Sequence, residues 1–230
     1  MSLVLGIVPA RGGSKGVPGK NIRLLAGRTL LDYAARVARE SGVIDRVILS
    51  TESSEVADAG RRAGLDVPFL RPATLAQDDT PMLPVVQHAI DTLAGESWQP
   101  DIVVLLQPTS PLRRPGHVRD AVTMLRATNA DSVVTVVEVP RHLSPDYVMR
   151  IDSERLVPFL PEGARVVRRQ DARQAYSRDG TVYTCWRRTL ERFGSIYGDD
   201  CRPLLIDARD SLSIDSPDDW DEAERLLASR

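Results

Sequence analysis

Leu3-Val4-Leu5-Gly6-Ile7-Val8-Pro9-Ala10-Arg11-Gly12-Gly13-Ser14-Lys15-Gly16-Val17-Pro18-Gly19-Lys20-Asn21 couples an apolar run to a charged, glycine-rich loop. Residues 3–9 suit a strand covered on both faces. In the loop that follows, Gly12, Gly13, Gly16 and Gly19 interleave with Arg11, Lys15 and Lys20. Consecutive glycines let backbone N–H groups turn toward one point, with no Cβ in a ligand's way. The cations add full positive charge around that point. Such a loop suits a polyphosphate. A surface turn would account for one or two of the glycines but for none of the cations.

Two common phosphate motifs are absent. The P-loop needs Gly, four residues, then Gly-Lys-Ser/Thr. Here Ser14 stands where the first glycine belongs and Asn21 where the hydroxyl belongs. No glycine spacing in the loop satisfies G-x-G-x-x-G, which weakens a dinucleotide reading.

Working outward, strands are expected at 3–9, 46–50, 102–106 and 132–137, with helices near 29–41, 53–63, 82–94 and 114–128. Strand–helix alternation of this kind predicts a doubly wound, mostly parallel α/β sheet. Ligands sit outside the carboxyl ends of such strands. The glycine-rich loop, Ser50-Thr51-Glu52 and Gln107-Pro108-Thr109-Ser110-Pro111 should therefore gather on one rim. Pro140, Pro145, Pro158 and Pro161 break the pattern, and Tyr147–Ile151 alternates like a strand or hairpin. Residues 138–172 thus form an excursion, a lid or a subunit contact, within a single domain spanning 1–230. A strand at 180–186 could return to the core. Ser216 and Pro217 begin a closing amphipathic helix.

At 230 residues, 42% hydrophobic and 27% charged, the composition argues against disordered, fibrous and membrane classes. A net charge of −2 gives no overall basic field for nucleic acid. Cys185, Cys201 and three scattered histidines make neither a disulfide framework nor a zinc cluster. With no leader pattern or long apolar run, a soluble cytoplasmic protein is expected.

Asp215 precedes the final helix, where a carboxylate can meet a metal or close an Asx turn. Mg²⁺ usually takes one or two carboxylates plus phosphate oxygens and water. Asp78-Asp79 and Asp218-Asp219 read as solvated or capping acids. Gln107, Thr109 and Ser110 form a proline-stiffened polar loop, suited to recognition or simply a rigid turn, with Arg113 close enough to reach a phosphate or carboxylate. Arg168-Arg169-Gln170, Tyr176 and Tyr183 could bind a hydroxylated carboxylate, although surface arginine pairs are common.

Together these segments resemble the CMP-sialic acid synthetases (acylneuraminate cytidylyltransferases). The resemblance rests on residues 7–22, Leu49-Ser50-Thr51, Phe69-Leu70-Arg71-Pro72, Leu106 to Arg113, Arg169-Gln170 through Tyr183, and Ile214-Asp215 before Asp218-Asp219. It implies a nucleotide-diphospho-sugar-transferase-like fold and a homodimer joined through residues 138–172. The implied reaction moves CMP from CTP to the anomeric hydroxyl of a nonulosonic acid, with Mg²⁺, releasing pyrophosphate. Ala10, Arg11, Gly12, Gly13, Ser14, Lys15, Lys20, Asn21 and Arg71 would hold the nucleotide. Gln107, Thr109, Ser110, Arg169, Gln170 and Tyr183 would meet the sugar, and Asp215 the metal. Arg11, Lys20 and Asp215 would carry the chemistry. Neither nucleic acid nor membrane is an implied partner.

Three departures stand out. Ser213 replaces a second aspartate, and Asp179-Gly180 replaces Asn-Gly, where a carboxylate would repel an anionic sugar unless it faced away. Residues 141–147 lack the lysine of sialic-acid enzymes, which shifts the expected sugar toward pseudaminic or legionaminic acid. The alternatives are transfer to another 3-deoxy sugar acid or a sugar phosphate, or a catalytically silent nucleotide-binding homologue.

Overall fold

Alternate residues of β1 (Val4–Pro9) enter opposite apolar layers. Val4 and Val8 pack with Leu31 and Ala35 of α1 (Leu30–Ser41), Val56 of α2 (Ser54–Ala63) and Val122 of α4 (Pro115–Thr128). Leu5 and Ile7 pack with Val86, Ala89 and Leu93 of α3 (Met82–Gly95). A strand apolar on both faces needs helices on both sides, and the chain supplies them. The computed structural model describes residues 2–165 and 168–229.

The chain divides into two compact units, Met1–Thr135 with Asp179–Arg230, and Val136–Arg178. In the first, β1 pairs parallel with β2 (Arg46–Ser50) and β3 (Ile102–Leu105), in registers Val8↔Leu49 and Ile7↔Leu105. β7 (Tyr176–Trp186) lies antiparallel to β3, followed in the sheet by β4 (Ser132–Glu138) and β8 (Cys201–Leu205). The sheet is mixed and mostly parallel, as expected. Parallel neighbours require a crossover, usually helical, and among the described residues no α-helix lies between β4 and β7. β8 and α5 (Arg187–Phe193) carried no clear sequence signal. β8 is short and exposed and contains Pro203, as edge strands do.

The helix boundaries follow their caps. Thr29 and Asp32 form a capping box on α1, Ser53 caps α2, and Ser216 with Asp219 forms the box on α6 (Pro217–Ala228). Trp220 and Ala223 of α6 share a third apolar cluster with Val17, Leu25, Leu30 and Ile214. That cluster matters for function, because Val17 belongs to the glycine-rich loop and Ile214 adjoins Asp215.

The second unit contains the hairpin of β5 (Met149–Asp152) and β6 (Arg155–Pro158), with Ile151 opposite Leu156. Ser153 and Glu154 turn it at φ 49° and 69°, as a two-residue primed turn requires. Asp146, 3% exposed, accepts from the Arg173 backbone N–H at 2.7 Å and pairs with its guanidinium at 2.5 Å.

Candidate active site

The glycine-rich loop leaves β1 at its carboxyl end. Ala10 N–H extends the ladder to Ser50 O at 3.0 Å. Asn21, 5% exposed, donates its amide to Arg11 O at 3.0 Å and so fixes the backbone that carries Arg11. After β2, Glu52 accepts from Gly12 N–H at 2.7 Å and from Arg71 Nη2 at 3.0 Å. Arg71 also donates its N–H to Thr51 O at 2.7 Å. One carboxylate thereby ties together the segments following β1 and β2.

The Asp215 segment closes the same rim. Ile214 N–H donates to Thr109 O at 2.9 Å, and Lys20 Nζ donates to Ile214 O at 2.6 Å while lying 3.5 Å from Asp215 Oδ1. Ser213, at the first departure, donates its hydroxyl to Asp215 Oδ2 at 3.0 Å. The Asp215 N–H reaches Asp219 Oδ2 at 3.0 Å. Hydrogen bonds from the Ser216 hydroxyl and then the Asp215 N–H hold the Asp219 carboxyl below the ordinary carboxylate range. Upstream, buried Asp210 pairs with Arg114 at 2.7 Å, anchoring the segment to the start of α4.

These loops enclose a cleft of about 320 Å³, lined among others by Arg11, Ser14, Lys15, Gly16, Lys20, Asn21, Arg71, Thr109 and Asp215. The expected gathering of strand-end loops is thus present. Ala10 lies buried behind the cleft, and Gly12 has its N–H on Glu52. A Cβ on Gly13 would meet open space. Gln107 and Ser110 adjoin Gly180, whose φ of +81° and missing Cβ leave room for Gln107 Oε1. Tyr183 sits on β7 opposite Leu105, its ring edge-on to Tyr197 with centroids 6.3 Å apart. Gln170 belongs to the second unit, where its carbonyl accepts from Arg141 at 2.9 Å. The side chain of Arg169 lies outside the described residues.

Two readings need correction. Arg113 is not a cleft cation: it is buried, with Nε donating to Thr181 O and Nη2 to Gln107 O, both at 2.5 Å. Burial pulls its guanidinium down to about 10. Replacing Arg113 by alanine strips two carbonyls of their donors and should cost roughly 2–4 kcal/mol, read as a lowered denaturant midpoint. Asp78 is not merely solvated, since its carboxylate contacts both Lys15 and Arg11 and lines the cleft. Hydrogen bonds from Lys15 and then Arg11 hold that carboxyl below its usual range. No local signal marks this contact, which spans 67 residues of sequence. The Asp179 carboxylate turns back onto the Thr181 N–H at 3.2 Å and its hydroxyl, so it is engaged locally.

Among the described residues no three His, Cys, Asp or Glu side chains gather as a metal cage. Asp215 and Asp78 share the cleft, however, and one or two carboxylates completed by phosphate and water suit a hard divalent cation.

A family model described as cytidylyltransferase matches residues 5–226. The chain belongs to the cytidylyltransferase family. It is a nucleotidyltransferase, and it is 35% identical over 231 residues to the CMP-N,N'-diacetyllegionaminic acid synthase of Legionella pneumophila, covering 97% of this chain and 96% of that relative. An N-acylneuraminate cytidylyltransferase of Streptococcus agalactiae is 28% identical over 93% of this chain, which spans 51% of that relative's length. In fold, this cytidylyltransferase resembles a CMP:2-keto-3-deoxy-manno-octonic acid synthetase complexed with CTP, with a TM-score of 0.74, 17% identity and 99% coverage of each chain.

Proposed function

We propose that this cytidylyltransferase moves CMP from CTP to the anomeric hydroxyl of a nonulosonic acid of the legionaminic type. One observation carries the reading: Arg11, Lys15, Lys20, Arg71 and Asp215 converge on a single cleft although they are scattered along the chain. The sugar hydroxyl oxygen attacks the α-phosphorus and gives its proton to solvent, the bond from that phosphorus to the bridging oxygen breaks, and pyrophosphate leaves. Transfer of this kind depends on positioning and on neutralised charge. Arg11 and Lys15 take the triphosphate oxygens, Asn21 keeps the loop shaped, and Lys20 fixes the Asp215 segment through Ile214 O. Asp215, with Asp78 nearby, would hold Mg²⁺, which when bound neutralises phosphate charge. Gln107 and Thr109 would face the sugar; Ser110, expected beside them, is only 2% exposed and its hydroxyl is out of a ligand's reach, while Arg169, Gln170 and Tyr183 are assigned to the sugar by the family resemblance alone. The Legionella relative and the missing lysine at 141–147 favour a legionaminic-type acid.

The second unit would form the homodimer contact. Its Ile151, Leu156 and Phe159 are 79%, 68% and 59% exposed, a cost that burial against a second copy would remove. Among the described residues no helix is long and apolar enough to cross a membrane. A CTP-dependent enzyme belongs in the cytoplasm, beside the nucleotide pool. Ser213 and Asp179 are both engaged locally, so neither argues for a silent homologue.

Purified protein given CTP, Mg²⁺ and a panel of nonulosonic acids should release pyrophosphate fastest with the legionaminic-type acid. CTP binding without release from any sugar would overturn the assignment.

A further inference from the structure

The donors awaiting a triphosphate already have a partner. Asp78 follows the short 3-10 turn Ala73–Leu75 and sets Oδ1 against Arg11 Nη1 and Oδ2 against Lys15 Nζ. Two oxygens of one anionic group, each facing a cation, reproduce the way those side chains would hold a phosphate. Glu52 also takes a loop donor, but its position differs. Its side chain is 22% exposed and locked between Gly12 and Arg71, whereas Asp78 is 44% exposed. Exposed ion pairs contribute little each, so a multiply charged ligand can displace Asp78.

We propose that Asp78 is an internal occupant of the triphosphate subsite, an affinity-setting residue that the nucleotide displaces from Arg11 and Lys15. This rests on reading the cleft as the nucleotide site. The arrangement separates substrate from product by charge. A triphosphate brings several negative charges and wins the cations, whereas a CMP ester has one phosphate charge and competes poorly with a tethered carboxylate. Asp78 therefore returns to Arg11 and Lys15 as pyrophosphate departs. Gln77 and Thr80 flank Asp78 and line the same cleft, so its release also frees that wall to adjust to the ligand.

The test measures equilibrium binding of inorganic tripolyphosphate and of CTP, both without metal, to the full chain and to Asp78→Asn, with Asp78→Ser as a second variant. Both variants should bind both probes about 3–10-fold more tightly, the scale of removing two exposed ion pairs, while Asp78→Glu stays near wild type. Equal or weaker binding by variants with wild-type circular dichroism would overturn the proposal and leave the site assignment standing. Failure of every protein, wild type included, to bind tripolyphosphate would remove the site assignment and the proposal with it.

Discussion

Gly16→Ala is expected to lower kcat/KM by about 10²-fold while the chain still folds. A Cβ at Gly16 would overlap the Asp215 carbonyl oxygen and lie 3.0 Å from the carbonyl carbon. Both are backbone atoms, so no side-chain rotation relieves the clash. The loop and the Asp215 segment must part, which strains the Lys20 bond to Ile214 O and shifts the carboxylate relative to the cations. A displacement near one ångström suffices for a loss of that size, because transfer depends on alignment. Steady-state kinetics beside a thermal melt make the check. Activity at the wild-type level would mean that the two segments do not abut as described.

Asp215→Asn should cut kcat by about 10²-fold or more and raise the divalent-metal concentration needed for half-maximal activity. Metal-free CTP affinity should hold or rise slightly, since one negative charge leaves the cleft. The variant reads the carboxylate itself because the segment is held through its backbone: Lys20 grips Ile214 O, and Asp219 grips the N–H of residue 215. An unchanged metal requirement would place the metal elsewhere. Gly16→Ala and Asp215→Asn thus separate geometry from charge.

The layered sheet was legible because its signals are local. The apolar runs at β1 to β4 and the Ser216 cap before α6 each depend on a few neighbouring residues. The loop's phosphate chemistry was legible for the same reason. Arg113 was misread because nothing beside it distinguishes a cation that reaches a ligand from one that feeds buried carbonyls. Its partners come from distant places in the chain, Gln107 from the loop after β3 and Thr181 from β7. Glu52 stood in a recognised loop, yet its bond to Arg71 appears only when the segments after β2 fold over each other.

Taken alone, the order of residues settled that an apolar strand ends in a cationic turn and that helices cover the sheet on both sides. Which charges stay available was left to folding. Val17 and Ile214 enter one apolar cluster, and that burial brings Lys20 against residues 194 and 195 positions away. Packing across such separations also put Asp78 onto Arg11 and Lys15 and drew Arg113 inside. Sequence patterns encode backbone conformation and charge over a turn or two, whereas the pairing of distant charges follows from which apolar surfaces are buried together.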